Sequence, residues 1–193
     1  MARRSLPLLP PVLIALLVGM AGQSGWVTSA KAAGVDIAHS RVSIVFRTMA
    51  TPVEAPFRRF RATINYDAAQ PEAAKAEVAI DTGSLDLGEP DLSKAVAQKE
   101  WLDVARFPSS TFVSSSIKAS AGNNLMVFGT LMIKGKAADI SFPVTVKTEN
   151  GANVFEGKIP IRRLTFNVGE GEWRYTGVVA DEVVIAFRLV LTR

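Results

Sequence analysis

Residues 124–149 read NLMVFGTLMIKGKAADISFPVTVKTE. Asn124–Ile133 is an apolar run, Lys134-Gly135-Lys136 is a turn signal, and a second run covers Asp139–Glu149. In the second run Ile140, Phe142, Val144 and Val146 share one face, separated by Ser141, Pro143 and Thr145. A period of two over that length marks a strand with one buried face. The stretch therefore predicts two antiparallel strands that turn one side to a core.

The same pattern recurs on both sides of it. Val42, Ile44 and Phe46 alternate with Ser43, Val45 and Arg47. Phe60, Ala62, Ile64 and Tyr66 form a second apolar series, and Ala76, Val78 and Ile80 a third. Further strands are predicted over Ser110–Lys118, Asn153–Leu164 and Val178–Leu191, the last with Val183, Ile185, Phe187, Leu189 and Leu191 on one face. Gly122-Asn123 and Asn150-Gly151 supply turns between them. About eight strands with short links predict an all-β sandwich or barrel. One segment breaks the pattern. Asp91–Leu102 reads as a helix, preceded by Pro90, with Asp91 or Ser93 as cap and a modest apolar face from Leu92, Ala95, Val96 and Leu102.

The chain has 193 residues, enough for one domain with a real core, and 48% apolar against 21% charged residues is a globular composition. It has no cysteine, which excludes disulfides, thiolate metal sites and cysteine nucleophiles. A single histidine excludes a multi-histidine metal site. Residues 1–32 read as an export signal: Arg3 and Arg4, an apolar run densest from Val12 to Gly22, and Ala30-Lys31-Ala32 before a cleavage point at Ala33. The alternative, a membrane anchor, needs roughly 20 unbroken apolar residues, and Pro7, Pro10 and Pro11 interrupt the front of this run. The expected division is thus a signal peptide over 1–32 and one domain over 33–193, located in the periplasm. Three of the 22 basic residues and none of the 18 acids lie in the leader, which leaves 19 against 18. That near-neutral balance gives no reason to expect a nucleic-acid partner.

Few residues are candidates for chemistry. His39 has no G-x-S-x-G elbow to serve and reads as a structural or surface histidine. Asp81 with Asp86, Glu170 with Glu172, and Asp181 with Glu182 read as solvated turn or strand acids. Gly169-Glu170-Gly171-Glu172 has no following helix and is not a phosphate loop. Trp101, Phe107 and Phe112 follow the helix closely and either pack it onto the sheet or line the mouth of a cavity. The apolar stripes fit a filled core and a hollow ligand-binding barrel equally well.

Six stretches, in order, resemble the YceI family of periplasmic lipocalin-like proteins. They are Asp36 to Phe46, Ala79 to Gly88, Trp101 to Pro108 with Thr111 to Ser114, Gly129 to Gly135, Ile140 to Pro143, and Ile161 to Gly169. Met49 to Phe57 and Gly171-Glu172-Trp173 are similar to one subgroup, although Ala55-Pro56 stands where a glycine is usual. The resemblance implies an eight-stranded antiparallel lipocalin-like barrel with one short helix, enclosing an apolar channel for a polyisoprenoid such as a prenyl quinone or prenyl diphosphate. It implies a carrier and not an enzyme, with no cofactor apart from such a lipid. The expected lining residues are Ile44, Phe46, Phe60, Ile64, Val78, Ile80, Trp101, Phe112, Phe128, Phe142, Phe166, Ile185 and Phe187. Arg58, Arg59 and Arg61 would suit a diphosphate, although the strand period turns at least one of them outward. The subgroup also suggests a membrane cytochrome of the b561 type as an alternative partner, and a homodimer is left open.

Overall fold

The computed structural model describes residues 33–192; the expected signal peptide lies outside the described residues. Ten strands form one sheet: β1 (Ala33–Gly34), β2 (Arg41–Thr48), β3 (Thr51–Pro56), β4 (Phe60–Asn65), β5 (Lys75–Asp81), β6 (Ser109–Ala119), β7 (Asn124–Ile133), β8 (Lys136–Glu149), β9 (Ala152–Arg162) and β10 (Val179–Val190). The order is β1-β4-β5-β6-β7-β8-β9-β10-β2-β3, and every neighbouring pair is antiparallel. The long β2 therefore lies beside the last strand, so the sheet curls on itself. Residues 33–36 tie its two margins. β1 pairs with β4, Val35 bridges Leu191, and the Asp36 N–H donates to the Val190 carbonyl at 2.8 Å.

The eight expected strands correspond to β2 and β4–β10, and the sheet has two more. β1 has only two residues and carries no period. β3 contains Pro52 and Pro56, which a ladder tolerates only at an edge, and β3 is the edge strand beside β2. The β2–β3 turn is also silent in sequence. Met49 and Ala50 both adopt positive φ, 48° and 67°, in a two-residue connection that usually recruits Asn or Gly. The helix is shorter than expected: α1 spans Pro90–Val96. Ser93 does not cap it but accepts from the Leu87 N–H at 3.1 Å, and Leu102 N–H closes back onto the Val96 carbonyl. Residues 97–107 then run as turns, pinned by buried Asp103 at φ 48°.

One pairing stops early. β7–β8 stays in register down to Ile133 and Lys136, but β8–β9 ends at Val144 and Gly157. Continuing that ladder would place Pro143 opposite Lys158 and Ser141 opposite Pro160, and neither proline has an N–H to give. β8 and β9 therefore part toward the end of the sheet that carries α1. The inner face holds the core, with Val42, Ile64, Phe112, Leu125, Val127, Leu131, Phe142, Val144, Phe155, Ile159, Ile185 and Leu189 all buried.

Gly129 shows how tightly the wall is packed. A Cβ there would meet the Phe112 ring at 2.6 Å and the Val113 carbonyl oxygen. The absent side chain is what lets Phe112 lie across β7. Gly129→Ala is expected to cost about 1–3 kcal/mol, the range for overpacking. A urea midpoint equal to that of the wild type would contradict this contact.

On the outer face Arg188 joins two carboxylates, Glu149 at 2.7 Å and Glu156 at 2.6 Å, and Lys147 adds a bond to Glu156 at 2.6 Å. Arg188 holds Glu149 below its ordinary pKa; Lys147 and then Arg188 do the same for Glu156. A folded pKa below the unfolded one stabilises above the unfolded value, about 4.3 for Glu, and the contribution fades as pH falls through the folded value. Arg188→Gln should thus lower the urea midpoint at neutral pH, with the difference from wild type shrinking in acid. A difference that stays constant with pH would contradict the cluster's role.

Candidate functional site

The inward stripes do not meet. They leave an elongated cavity of about 540 Å³ along the inside of the sheet, within the ~300–1,000 Å³ typical of ligand sites. Its far end lies away from α1, where Tyr66 and Phe155 close edge to face at 5.0 Å beside buried Ala74, Ile117 and Leu125. Along the middle, the Phe112, Phe142 and Phe187 rings follow one another at 5.3 and 6.0 Å. Toward α1 the wall combines buried Leu85, Arg163 and Phe166 with half-buried Phe46, Val53, Ile80, Ile133, Ile161 and Val178, and Leu92 is exposed. The mouth is at this end, where β8 and β9 part, and Leu87, Leu92, Val96, Trp101 and Trp173 stand around it.

Of the wall residues, Arg163 alone is charged. It is 3% exposed, and its five N–H groups meet five carbonyls. Nε donates to Ala180 at 3.1 Å, Nη1 to Val168 at 2.8 Å and Gly169 at 3.2 Å, and Nη2 to Trp173 at 2.7 Å and Val179 at 3.0 Å. Its guanidinium also lies 5.5 Å from the centre of the Trp101 ring. Burial pushes its pKa below the ordinary arginine value. A second buried cation lies nearby. Lys134, in the β7–β8 turn, donates to the Lys99 carbonyl at 2.7 Å, the Asn167 carbonyl at 2.8 Å and Glu170 Oε2 at 2.8 Å. Every donor of both side chains is engaged. They fasten the mouth loops to one another and offer nothing free to an anionic head group. Thr82 is similarly occupied, donating to the Phe107 carbonyl at 2.7 Å.

The other polar candidates lie elsewhere. Arg58 pairs with Asp86 and Arg59 with Asp81 on the outer surface; Arg61 is exposed, and none of the three is on the cavity wall. Asp81 and Asp86 also accept from the Gly83 and Gly88 N–H groups, so both are turn acids, and these contacts hold Asp86 below its usual pKa. His39 is exposed and bonds Asp36 at 2.8 Å, beside β2 at the end away from the mouth. Among the described residues no three His, Asp or Glu side chains converge as a metal site.

A family model for the YceI-like domain matches residues 34–191. The chain belongs to the YceI family. Relatives in this family include a UPF0312 protein of Pseudomonas savastanoi pv. phaseolicola, 34% identical over 109 residues, which cover 56% of this chain and 53% of that one. Protein YceI of Salmonella arizonae is 34% identical over 93 residues, 48% of this chain and 46% of that one. The aligned part thus spans about half the length of these curated relatives. Among solved structures, Burkholderia cenocepacia BcnA is 45% identical with a TM-score of 0.80, covering 82% of this chain and 99% of that one. A polyisoprenoid binding domain from Saccharophagus degradans shares the fold at 15% identity and a TM-score of 0.65, covering 83% of this chain and 97% of that one.

In this YceI chain, eleven of the thirteen expected lining residues stand on the cavity wall: Ile44, Phe46, Ile64, Val78, Ile80, Trp101, Phe112, Phe142, Phe166, Ile185 and Phe187. Phe60 is buried in the surrounding core and off the wall. Phe128 is a correction. Leu125, Val127, Leu131 and Ile133 share the inward parity of β7, so Phe128 faces out, under the Lys118 ammonium at 5.4 Å. Of the aromatics after α1, Trp101 and Phe112 line the cavity, whereas Phe107 packs under Gly135 of the β7–β8 turn. The loop-fastening roles of Arg163 and Lys134 had no signal in the strand period. Both sit at turn or strand-end positions where a charged residue ordinarily reads as solvated.

Proposed function

We propose that this YceI-family protein binds a polyisoprenoid lipid, with the prenyl tail in the cavity and the head group at the mouth beside α1. The observation that carries the reading is an elongated cavity whose one charged side chain is fully engaged by backbone carbonyls. A prenyl tail has no hydrogen bonds to satisfy and suits such a wall. Each 100 Å² of tail buried is worth about 2.5 kcal/mol before the costs of association. The polyisoprenoid binding domain that shares this fold supports the ligand class. The lack of a free cation on the wall favours a prenyl quinone over a prenyl diphosphate. The role is carriage and not catalysis, and the export signal expected over residues 1–32 supports a periplasmic location.

Titration with prenyl quinones of increasing tail length tests this. Affinity should rise with each isoprene unit and level off once the cavity is full. A prenyl diphosphate of equal tail length should bind no tighter. Affinity indifferent to tail length would overturn the reading.

A further inference from the structure

Seven large apolar side chains are exposed among the described residues, and four of them surround the cavity mouth. Met49, 73% exposed, is in the β2–β3 turn; Leu92, 54% exposed, is on α1; Trp173 and Tyr175, 36% and 73% exposed, are in the loop before β10. Of the other three, Ile37 lies before β2, and Val113 and Met132 lie together on the outer face of β6 and β7. The mouth residues come from three chain segments that the fold brings together. The Met49 N–H donates to the Val178 carbonyl at 2.9 Å, and the Trp173 ring lies 5.3 Å from Trp101, just beyond α1. Leu92 and Trp173 also stand on the cavity wall, so the exposed apolar surface is continuous with the cavity.

We propose that this rim docks the protein on a phospholipid bilayer with the mouth facing the hydrocarbon, an inference that rests on reading the cavity as a lipid site. Three features favour a bilayer over a second protein surface. The apolar groups encircle an opening and do not form one flat face, so a rigid partner would meet a void at the centre. Acyl chains adapt to that shape. Trp and Tyr carry an apolar body and a polar tip, the combination suited to the membrane–water interface. The exposed charges at this end are of both signs, among them Lys94, Lys99, Lys136 and Arg174 against Glu89, Asp91, Glu100 and Glu172. Docking should therefore be apolar, insensitive to lipid charge and little weakened by salt. A mouth placed against the bilayer would let a prenyl tail pass between hydrocarbon and cavity without crossing water.

The test is flotation with phosphatidylcholine vesicles, using protein purified from cells as they process it. Met49→Asp with Tyr175→Asp changes two rim residues off the cavity wall, and Asp is at ease at the positive φ of position 49. Val113→Asp with Met132→Asp is the control. The rim variant should lose roughly tenfold or more in vesicle affinity, and the control should match wild type. In a separate titration without vesicles, the rim variant should bind a short, water-soluble prenyl quinone as wild type does. Equal flotation of the two variants would overturn the proposal. So would binding only to anionic vesicles, or a wild-type dimer that the rim variant abolishes. Failure of the vesicle-free titration with wild type would instead overturn the cavity reading and leave the docking result standing.

Discussion

Val78→Trp should abolish prenyl-lipid binding and leave the melting temperature unchanged or raised. Val78 is in the middle of β5, faces inward and is only half-buried, because it borders the cavity. Trp keeps a residue type suited to strands. In a filled interior the extra bulk would cost about 1–3 kcal/mol. In a hollow one it finds wall atoms that lack partners, and it gains contacts. The comparison is Ala55→Trp on β3, at a position with 0% exposure and no cavity beside it. That variant should lose at least the overpacking cost. Thermal melts and a prenyl quinone titration on both proteins read the contrast. Equal destabilisation of the two, or Val78→Trp binding as tightly as wild type, would contradict a hollow interior.

Arg163→Met should destabilise the fold by about 3 kcal/mol or more, since hydrogen bonds to a charged group are worth about 1.5–3 kcal/mol each and five carbonyls lose their donor. Arg163→Lys should recover only part of this, because an ammonium offers three donors where the planar guanidinium offers five. The loss should be local as well as global. Amide exchange should quicken over residues 168–180, whose carbonyls the side chain gathers. Gly169→Ala should act in the same direction: its φ is +82°, and a Cβ there would collide with Arg163 Nη1 and approach Trp101 at 3.2 Å. An unfolding free energy for Arg163→Met within about 0.5 kcal/mol of wild type would show that the loops hold without it.

Much of this fold can be read from alternation alone. β2 and β4–β10 each bury one face, and a half-buried strand writes a period of two into its residues. β3 writes none, because an edge strand tolerates Pro52 and Pro56 and its turn borrows positive φ from Met49 and Ala50. The inward parity of Val78, Phe142 and Ile185 is also legible. Whether the side chains opposite them meet is not, since that depends on the radius of curvature of the sheet and on where β8 and β9 part. Phe128 shows the limit of choosing by size, as its bulk suggests an interior and its parity places it outside. Arg163 and Lys134 were invisible for a different reason. Their surroundings are loop carbonyls, from the segment that follows Arg163 and from segments far along the chain for Lys134, assembled only once the chain has folded.

The most direct test is mass spectrometry of organic extracts from the protein purified natively from the cells that make it. The account predicts a polyprenyl species near one per chain, with a neutral quinone head group. Extracts that stay empty, even after incubation of the protein with prenyl quinones and prenyl diphosphates, would contradict it.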